Sequence, residues 1–289
     1  MEKLTGGPPL QRWGRESGAR GEEHENTGGA PVPLLNVRAP MPKNVLGIIL
    51  ARGGSVGLKG KHVRPLLGRP VICYTFDHAR AARTLTRTVV SSDCAEIRSL
   101  AIHAGFPAIE RPAGLATSDA SVQDVLLHAL DAAEHAADFR ADAVVCLYGN
   151  VPLRGAGVID RAVDLWARTG CDSVRSFCPV GKWHPNWMAK LEGDRVDALH
   201  AGSIHRRQDL TPLFLHDGAV VVSSREALLR GRANRQDPHA FFGTDRRAVR
   251  TESGETVEVD QLTDLYLAEA LLRGRQAPAD AAPFLRAAS

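Results

Sequence analysis

Cysteine is scarce in this chain and poorly spaced for structural chemistry. The five residues Cys73, Cys94, Cys146, Cys171 and Cys178 are an odd number with no C-x-x-C pair. That excludes a disulfide framework and a cysteine-built zinc site, and it suits free thiols in a reducing, cytoplasmic setting. Long apolar runs are also missing. No stretch of about 18 uncharged apolar residues occurs, so no helical membrane span is expected. The opening MEKLTGGPPLQRWGRE lacks the apolar middle of a secretory signal. A strong charge of either sign is lacking too: net +3 over 289 residues is too weak to argue for nucleic acid as a partner. Histidines such as His200, His205, His216 and His239 show no HExxH or paired spacing, which leaves no histidine metal site. Lysine is rare, with six against thirty arginines. The arginine excess looks compositional, so a lysine is the more informative cation, and Lys59 and Lys61 fall in one glycine-rich loop.

What is present changes abruptly at residue 44. Residues 1–43 hold seven Gly and six Pro with little apolar periodicity and read as a disordered tail. Residues 276–289 read as a second tail. Between them, Asn44-Val-Leu-Gly-Ile-Ile-Leu50 is the short continuous apolar run of a strand buried on both faces. Helices are expected at Pro70–Ala82, from Asp93 to about Ala104, from Ser121 to about Ala136, at Val158–Ala167 and at Thr263–Arg273. The second is expected to start on a capping box of Asp93 and Glu96, the third on a Ser121 cap. Strands are expected at Arg87–Ser91, Pro107–Glu110, Ala143–Tyr148, Asp172–Cys178, Ala219–Val222 and Thr256–Val259. Such alternation predicts an α/β fold with a mainly parallel, Rossmann-like sheet. The irregular stretch 181–215 reads as a small, partly antiparallel inserted lobe.

In an open α/β sheet, ligands bind at the carboxyl ends of the strands. The loop Ala51-Arg-Gly-Gly-Ser-Val-Gly-Leu-Lys-Gly-Lys61 occupies that place after the first strand. Its glycines permit close backbone approach, and successive N–H groups can curl around an anion. Arg52 and Lys61 add charge suited to a polyphosphate. A P-loop does not fit, because Ser55 stands where its first Gly belongs and His62 where Ser or Thr belongs. A dinucleotide fingerprint does not fit either, because Gly54, Gly57 and Gly60 recur every third residue.

The segment ARGGSVGLKGKHVRPLLGRPVICYT resembles the signature of the acylneuraminate cytidylyltransferases, the CMP-sialic acid synthetase family, whose usual form is A-R-G-G-S-K-G-x-x-x-K-N. Further blocks follow in order. Val90-Ser-Ser-Asp93 resembles "vSTD", and the run from Glu110 to Asp119 resembles "RPxeLasD". LYGNVPLR, Leu147–Arg154, stands in the place of "LqPTSPLR". Arg207-Gln208-Asp209-Leu210 through Gly218-Ala219 resembles "RQxLP…NGAiY", and Glu258-Val-Asp260 resembles a metal-binding D-x-D. The likeness covers about residues 44–273.

The resemblance implies a nucleotide-diphospho-sugar transferase type of fold. It implies transfer of CMP from CTP to the anomeric hydroxyl of an acidic nine-carbon 2-keto sugar, with release of pyrophosphate. Lys61 and Arg52 are then the catalytic cations, Lys61 acting on the α-phosphate. Ala51, Gly53, Gly54, Ser55, His62, Ser92 and Arg111 are implied to hold the nucleotide. Tyr148, Arg207 and Lys182 are the implied sugar contacts. Glu258 and Asp260, two residues apart and so on one face of a strand, are implied to bind Mg²⁺. The family's dimers use the inserted lobe, which implies a homodimer.

Four positions depart from the family pattern. Val56 replaces its first signature lysine, with Lys59 three positions away. His62 replaces Asn, and Tyr148 replaces Gln. Asn150 stands where related sugar nucleotidyltransferases keep a metal-binding Asp. These changes keep open a related transferase for another sugar or nucleotide, and a non-catalytic nucleotide-binding relative.

Overall fold

A computed structural model describes residues 44–54, 57–200, 206–234 and 236–276. The expected tail 1–43, the loop residues Ser55 and Val56, and residues 277–289 lie outside the described residues.

Strand β1 (Val45–Leu50) is buried at all six positions, as its unbroken aliphatic run requires. A short hairpin, β2 (Pro65–Leu66) and β3 (Arg69–Pro70), leads into α1 (Val71–Ala81). Alternation continues through β4 (Arg87–Ser92), α2 (Ala95–His103), β5 (Ala108–Glu110), α3 (Val122–His135), β6 (Ala143–Tyr148), α4 (Val158–Thr169) and β7 (Ser173–Pro179). The hairpin β8 (Ala189–Glu192) and β9 (Arg195–Ala198) follows, then β10 (Phe214–Ser224), α5 (Arg225–Gly231), β11 (Arg246–Arg250) and α6 (Leu262–Gln276).

Seven strands form the central sheet in the order β11-β7-β10-β6-β1-β4-β5. β1 pairs in parallel with β4 and β6, so that Ile48 lies opposite Val89 on one side and Cys146 on the other. β10 alone runs against its neighbours β6 and β7. Helices cover both faces. Ile72, Phe76, Ile97 and Trp166 pack on one, and Leu126, Leu130 and Leu228 on the other. Burying each such side chain contributes about 1.5–3 kcal/mol.

A third, smaller core matters most for the site. Leu58, Leu66, Leu153, Val257, Val259 and Leu265 pack together, fastening the segment before α6 onto the glycine loop. The attachment is close. The Leu58 N–H donates to Asp260 O at 3.0 Å, and a Cβ on Gly57 would stand 2.6 Å from that same oxygen. Only glycine allows this approach.

Three local expectations are corrected. Residues 256–259 are not a sheet strand: they make one isolated bridge, Val257 with Leu153, plus a bond from Val259 N–H to Asn150 O at 2.8 Å. Alternation of buried Val257 and Val259 with exposed Glu258 and Asp260 mimics a strand because the segment packs one edge on the third core. Asp93 does not cap α2, whose N-cap is Cys94 without a side-chain bond. Its carboxylate instead accepts from the Gly53 N–H at 2.9 Å. The sequence reading also lacks α5, β11 and the β2–β3 hairpin. Ser121 does cap α3, accepting from the Asp124 N–H at 3.0 Å.

Candidate active site

The carboxyl ends of β1 and β6 open into a cleft of about 240 Å³. Arg52, Lys61, His62, Arg111, Tyr148, Asn150 and Glu258 line it, with Ala51 at its floor. Chain reversal after β1 brings Arg52 to the rim, and the tight turn at Gly60, with φ of 63°, swings Lys61 and His62 back over the strand ends.

At the polar end, Lys61 Nζ lies 2.6 Å from Asp260 Oδ1 across 199 residues of sequence. Asn150 Nδ2 donates to Glu258 Oε1 at 3.1 Å, to Asp260 Oδ1 at 3.3 Å and to Val259 O at 3.1 Å. One amide thus gathers both carboxylates. Asp264 Oδ2 accepts from the backbone N–H groups of Asp260 and Gln261 at 2.9 and 2.8 Å, fixing the start of α6 and the placement of Asp260. Glu258 has its pKa raised, first by desolvation in the cleft and then by the neighbouring charge of Asp260. Two carboxylates forced together are relieved by a cation. Lys61 supplies one charge, and the donor set of hard oxygens fits a divalent ion whose remaining ligands are phosphate oxygens and water. Among the described residues no third acidic, histidine or cysteine side chain joins them.

Along the wall, Arg111 is buried and gives two bonds to Ser91, Nε to Oγ at 3.2 Å and Nη2 to the carbonyl at 2.7 Å. Burial lowers its pKa, opposed by the Asp93 charge. Tyr148 presents a phenol whose pKa burial pushes up, so it stays protonated. Beneath it, buried Arg154 ties the strand end together, donating to the carbonyls of Tyr148, Val151 and Ala219 and to Thr75 Oγ1. Desolvation brings its pKa down to about 9. Gly53 sits 3.0 Å, at its would-be Cβ, from Cys94 Cβ, whereas Gly54 has open space beside it.

Not every implied residue reaches the cleft. Ser92 Oγ accepts from the Cys94 N–H at 3.1 Å and serves the β4–α2 turn. Lys182 Nζ rests 4.9 Å from the centre of the Trp183 ring. Arg207 lies beside Gly181, with Nη2 3.5 Å from where a Cβ would be. Neither Lys182 nor Arg207 is among the residues that line the cleft. His184 is a structural group: Nε2 donates to Thr211 O at 3.0 Å, while Nδ1 accepts from the Asn186 N–H. Sequence reasoning missed the gathering role of Asn150, the Asp93 tether to the loop, and Thr117 and Ser118 on the cleft wall. Of these, Asn150 carried a signal, since it replaces an acid in an otherwise matching block.

Similarity to known proteins bears on the family. The sequence profile of the cytidylyltransferase family matches residues 46–271. An N-acylneuraminate cytidylyltransferase of Streptococcus agalactiae serotype V is 31% identical over 221 residues, covering 75% of this chain and 50% of that protein. The chain thus spans about half the length of the first such relatives. A CMP-N,N'-diacetyllegionaminic acid synthase of Legionella pneumophila is 25% identical over 237 residues, 80% of this chain and 97% of the other. A pseudaminic acid cytidylyltransferase of Campylobacter jejuni is 27% identical over 234 residues, 79% and 96% respectively. In three dimensions the fold matches a CMP:2-keto-3-deoxy-manno-octonic acid synthetase complexed with CTP, with TM-score 0.62, 16% identity, 80% of this chain and 99% of the other. The profile covers the whole run from β1 into α6, so the chain belongs to the cytidylyltransferases, a family of nucleotidyltransferases.

Proposed function

We propose that the protein transfers CMP from CTP to the anomeric hydroxyl of a sialic-acid-like, nine-carbon 2-keto sugar acid, releasing pyrophosphate in the presence of Mg²⁺. The observation that carries this reading is the contact of Lys61 Nζ with Asp260 Oδ1 at 2.6 Å, at the edge of the cleft that Lys61 lines with Arg52, Arg111 and Glu258. The reaction is an in-line displacement. The anomeric oxygen bonds to the α-phosphorus as the bond to pyrophosphate breaks, and the protein must position the reactants and offset charge. Lys61 has three donors; with one on Asp260, two remain for phosphate oxygens. Arg52 stands at the rim to meet the outer phosphates, and the open backbone at Gly54 admits them. Arg111, locked on Ser91, offers its remaining donors to the nucleotide. Tyr148 contributes a neutral hydroxyl to the sugar side. A magnesium ion held by Glu258 and Asp260 would offset charge on the phosphates.

The same reading covers assembly. The exposed apolar residues concentrate between β7 and β10, with Trp183 at 64%, Leu191 at 72% and Val196 at 68% exposure. A second copy of the chain on this lobe would cover them and bring Lys182 and Arg207 into a shared sugar site. No described helix is long and apolar enough to cross a membrane, and the five free thiols suit a reducing, cytoplasmic setting.

Pyrophosphate release from CTP, measured across a panel of 2-keto sugar acids, tests the proposal. Release with at least one sialic-, legionaminic- or pseudaminic-type acid is expected. No release with any acid, together with no CTP binding, would overturn it. Preference for another nucleotide would point to a related transferase, and CTP binding without turnover on any acid to a non-catalytic relative.

A further inference from the structure

Strand β11 ends the sheet, and the charge along it is unmatched. β7 is its neighbour on one side, and among the described residues no strand lies beyond it on the other. Asp245 O accepts from the Asp172 and Ser173 N–H groups at 2.9 and 3.2 Å, and the Thr251 N–H donates to Phe177 O at 3.0 Å. These odd-numbered positions thus bond toward β7. Parallel strands alternate in the direction of their backbone groups, so the N–H and C=O of Arg246, Ala248 and Arg250 point outward to the free edge. The side chains of those three residues share one face, and Arg175 of β7 stands directly beside Ala248. Val249, on the other face, is buried.

The guanidinium groups on that face are held by rings rather than by acids. Arg175 lies 5.0 Å from the centre of the Phe177 ring and 4.3 Å from that of Phe242. Arg246 lies 5.9 Å from Phe242, and Arg250 lies 4.5 Å from Phe214. Arg247, on the opposite face, pairs with Asp245 at 3.0 Å, but among the described residues no carboxylate pairs with Arg175, Arg246 or Arg250. Desolvation lowers the pKa of Arg175, and the charge of Arg246 lowers it further. Like charges crowd together here, and an anion relieves them. A charged edge repels apolar strands, yet it attracts an acidic one. Nucleic acid can meet the charges but not the outward backbone groups, whereas a polypeptide can meet both. We propose that β11 is a docking edge for an extended acidic segment of a partner protein, which adds as an eighth strand to the seven-stranded sheet and sets carboxylates at alternate positions against Arg246 and Arg250. Alternate side chains of such a strand lie about 6.6–6.8 Å apart. A middle carboxylate then falls beside Ala248, which is small enough to let it reach Arg175.

Fluorescence anisotropy on the full chain at low ionic strength tests this, with a labelled, end-blocked peptide of sequence Thr-Glu-Val-Glu-Val-Glu-Thr as the probe. The wild type is expected to bind it about tenfold more tightly than the version with Gln in place of Glu, the combined effect of three exposed ion pairs. Added salt should shrink that difference. The double variant Arg246→Glu with Arg250→Glu should lose about tenfold for the acidic peptide. It should also bind the version with Lys in place of Glu more tightly than the wild type does, a gain that shows the variant is folded. Backbone pairing has its own readout. Of two acidic peptides, one N-methylated at every Glu and one at every Val, one should lose binding, because alternate amides of an added strand point at β11. No binding of the acidic peptide by the wild type, no preference over the Gln version, an affinity unchanged by the double charge reversal, or binding that survives both methylations overturns the inference. Tighter binding of decathymidylate than of the acidic peptide overturns the choice of a protein partner. Each of these results leaves the CTP assignment to the pyrophosphate assay.

Discussion

At the mouth of β1, charged groups are paired with partners; in the lobe between β7 and β10, apolar groups are exposed and unmatched. In the first region Arg111 rests on Ser91, Asn150 gathers two carboxylates, and Lys61 meets Asp260. In the second, the eight residues of β8 and β9 are all exposed. The groups that line the cleft all come from one chain, whereas Lys182 and Arg207 lie outside its lining. The lobe presents the surface of an unfinished core, which suits a second protein chain. The two regions should therefore respond to different perturbations.

The largest effect is expected at the cleft. Lys61→Ala should lower kcat/KM for pyrophosphate release about a hundred- to a thousandfold, the range for losing one electrostatic donor to a transition state, and should leave the oligomeric state unchanged. A loss below about tenfold would break the comparison by moving the chemistry elsewhere.

The lobe should show the reverse pattern. Leu191→Asp combined with Val196→Asp places two charges on the exposed hairpin. Light scattering should show the mass fall from that of a dimer to that of one chain, while CTP binding persists. An unchanged mass would remove the lobe from the interface.

The smallest effect sharpens the account of the acidic pair. The pKa of Glu258 is raised in the folded state by desolvation and by Asp260. A carboxyl whose folded pKa lies above its unfolded value binds its proton more tightly when folded, so above that pKa its ionised form lowers stability. Glu258→Gln should thus raise Tm slightly at neutral pH, by about 1–2 °C, while weakening any dependence of activity on Mg²⁺. The gain should vanish at acid pH, below the unfolded pKa, where the wild-type side chain is protonated in both states. A gain that persists at acid pH would show that charge is not its cause. The same shift predicts that activity falls on the acid side as Glu258 takes up its proton, starting above the usual carboxylate range.

Much of this was legible in the sequence, and the exceptions share a cause. β1 and β6 read correctly because a strand buried on both faces leaves an unbroken aliphatic run. In the glycine loop, the close approach that demands glycine at Gly57 is to Asp260 O of the chain itself, a long-range contact that the loop's spacing does not reveal. Asp93 misled because an acid three residues before Glu96 is a local signature, and a distant N–H, that of Gly53, takes its carboxylate. Thr256–Val259 misled because burial alternates wherever one edge of an extended segment packs, with or without a ladder. β11 reads Arg-Arg-Ala-Val-Arg, and a charged edge strand has no sequence pattern of its own. The gathering of Glu258 and Asp260 on Asn150 depends on a contact spanning more than a hundred residues, which no local window contains.

Calorimetric titration of CTP into the wild type and Asp260→Asn, each with Mg²⁺ and with a chelator, tests the central claim most directly, because that claim places a triphosphate, Lys61 and the acidic pair in one cleft. The account predicts that Mg²⁺ tightens CTP binding to the wild type and that Asp260→Asn abolishes most of this gain. CTP binding indifferent to Mg²⁺ in the wild type, or a gain that survives intact in Asp260→Asn, would contradict it.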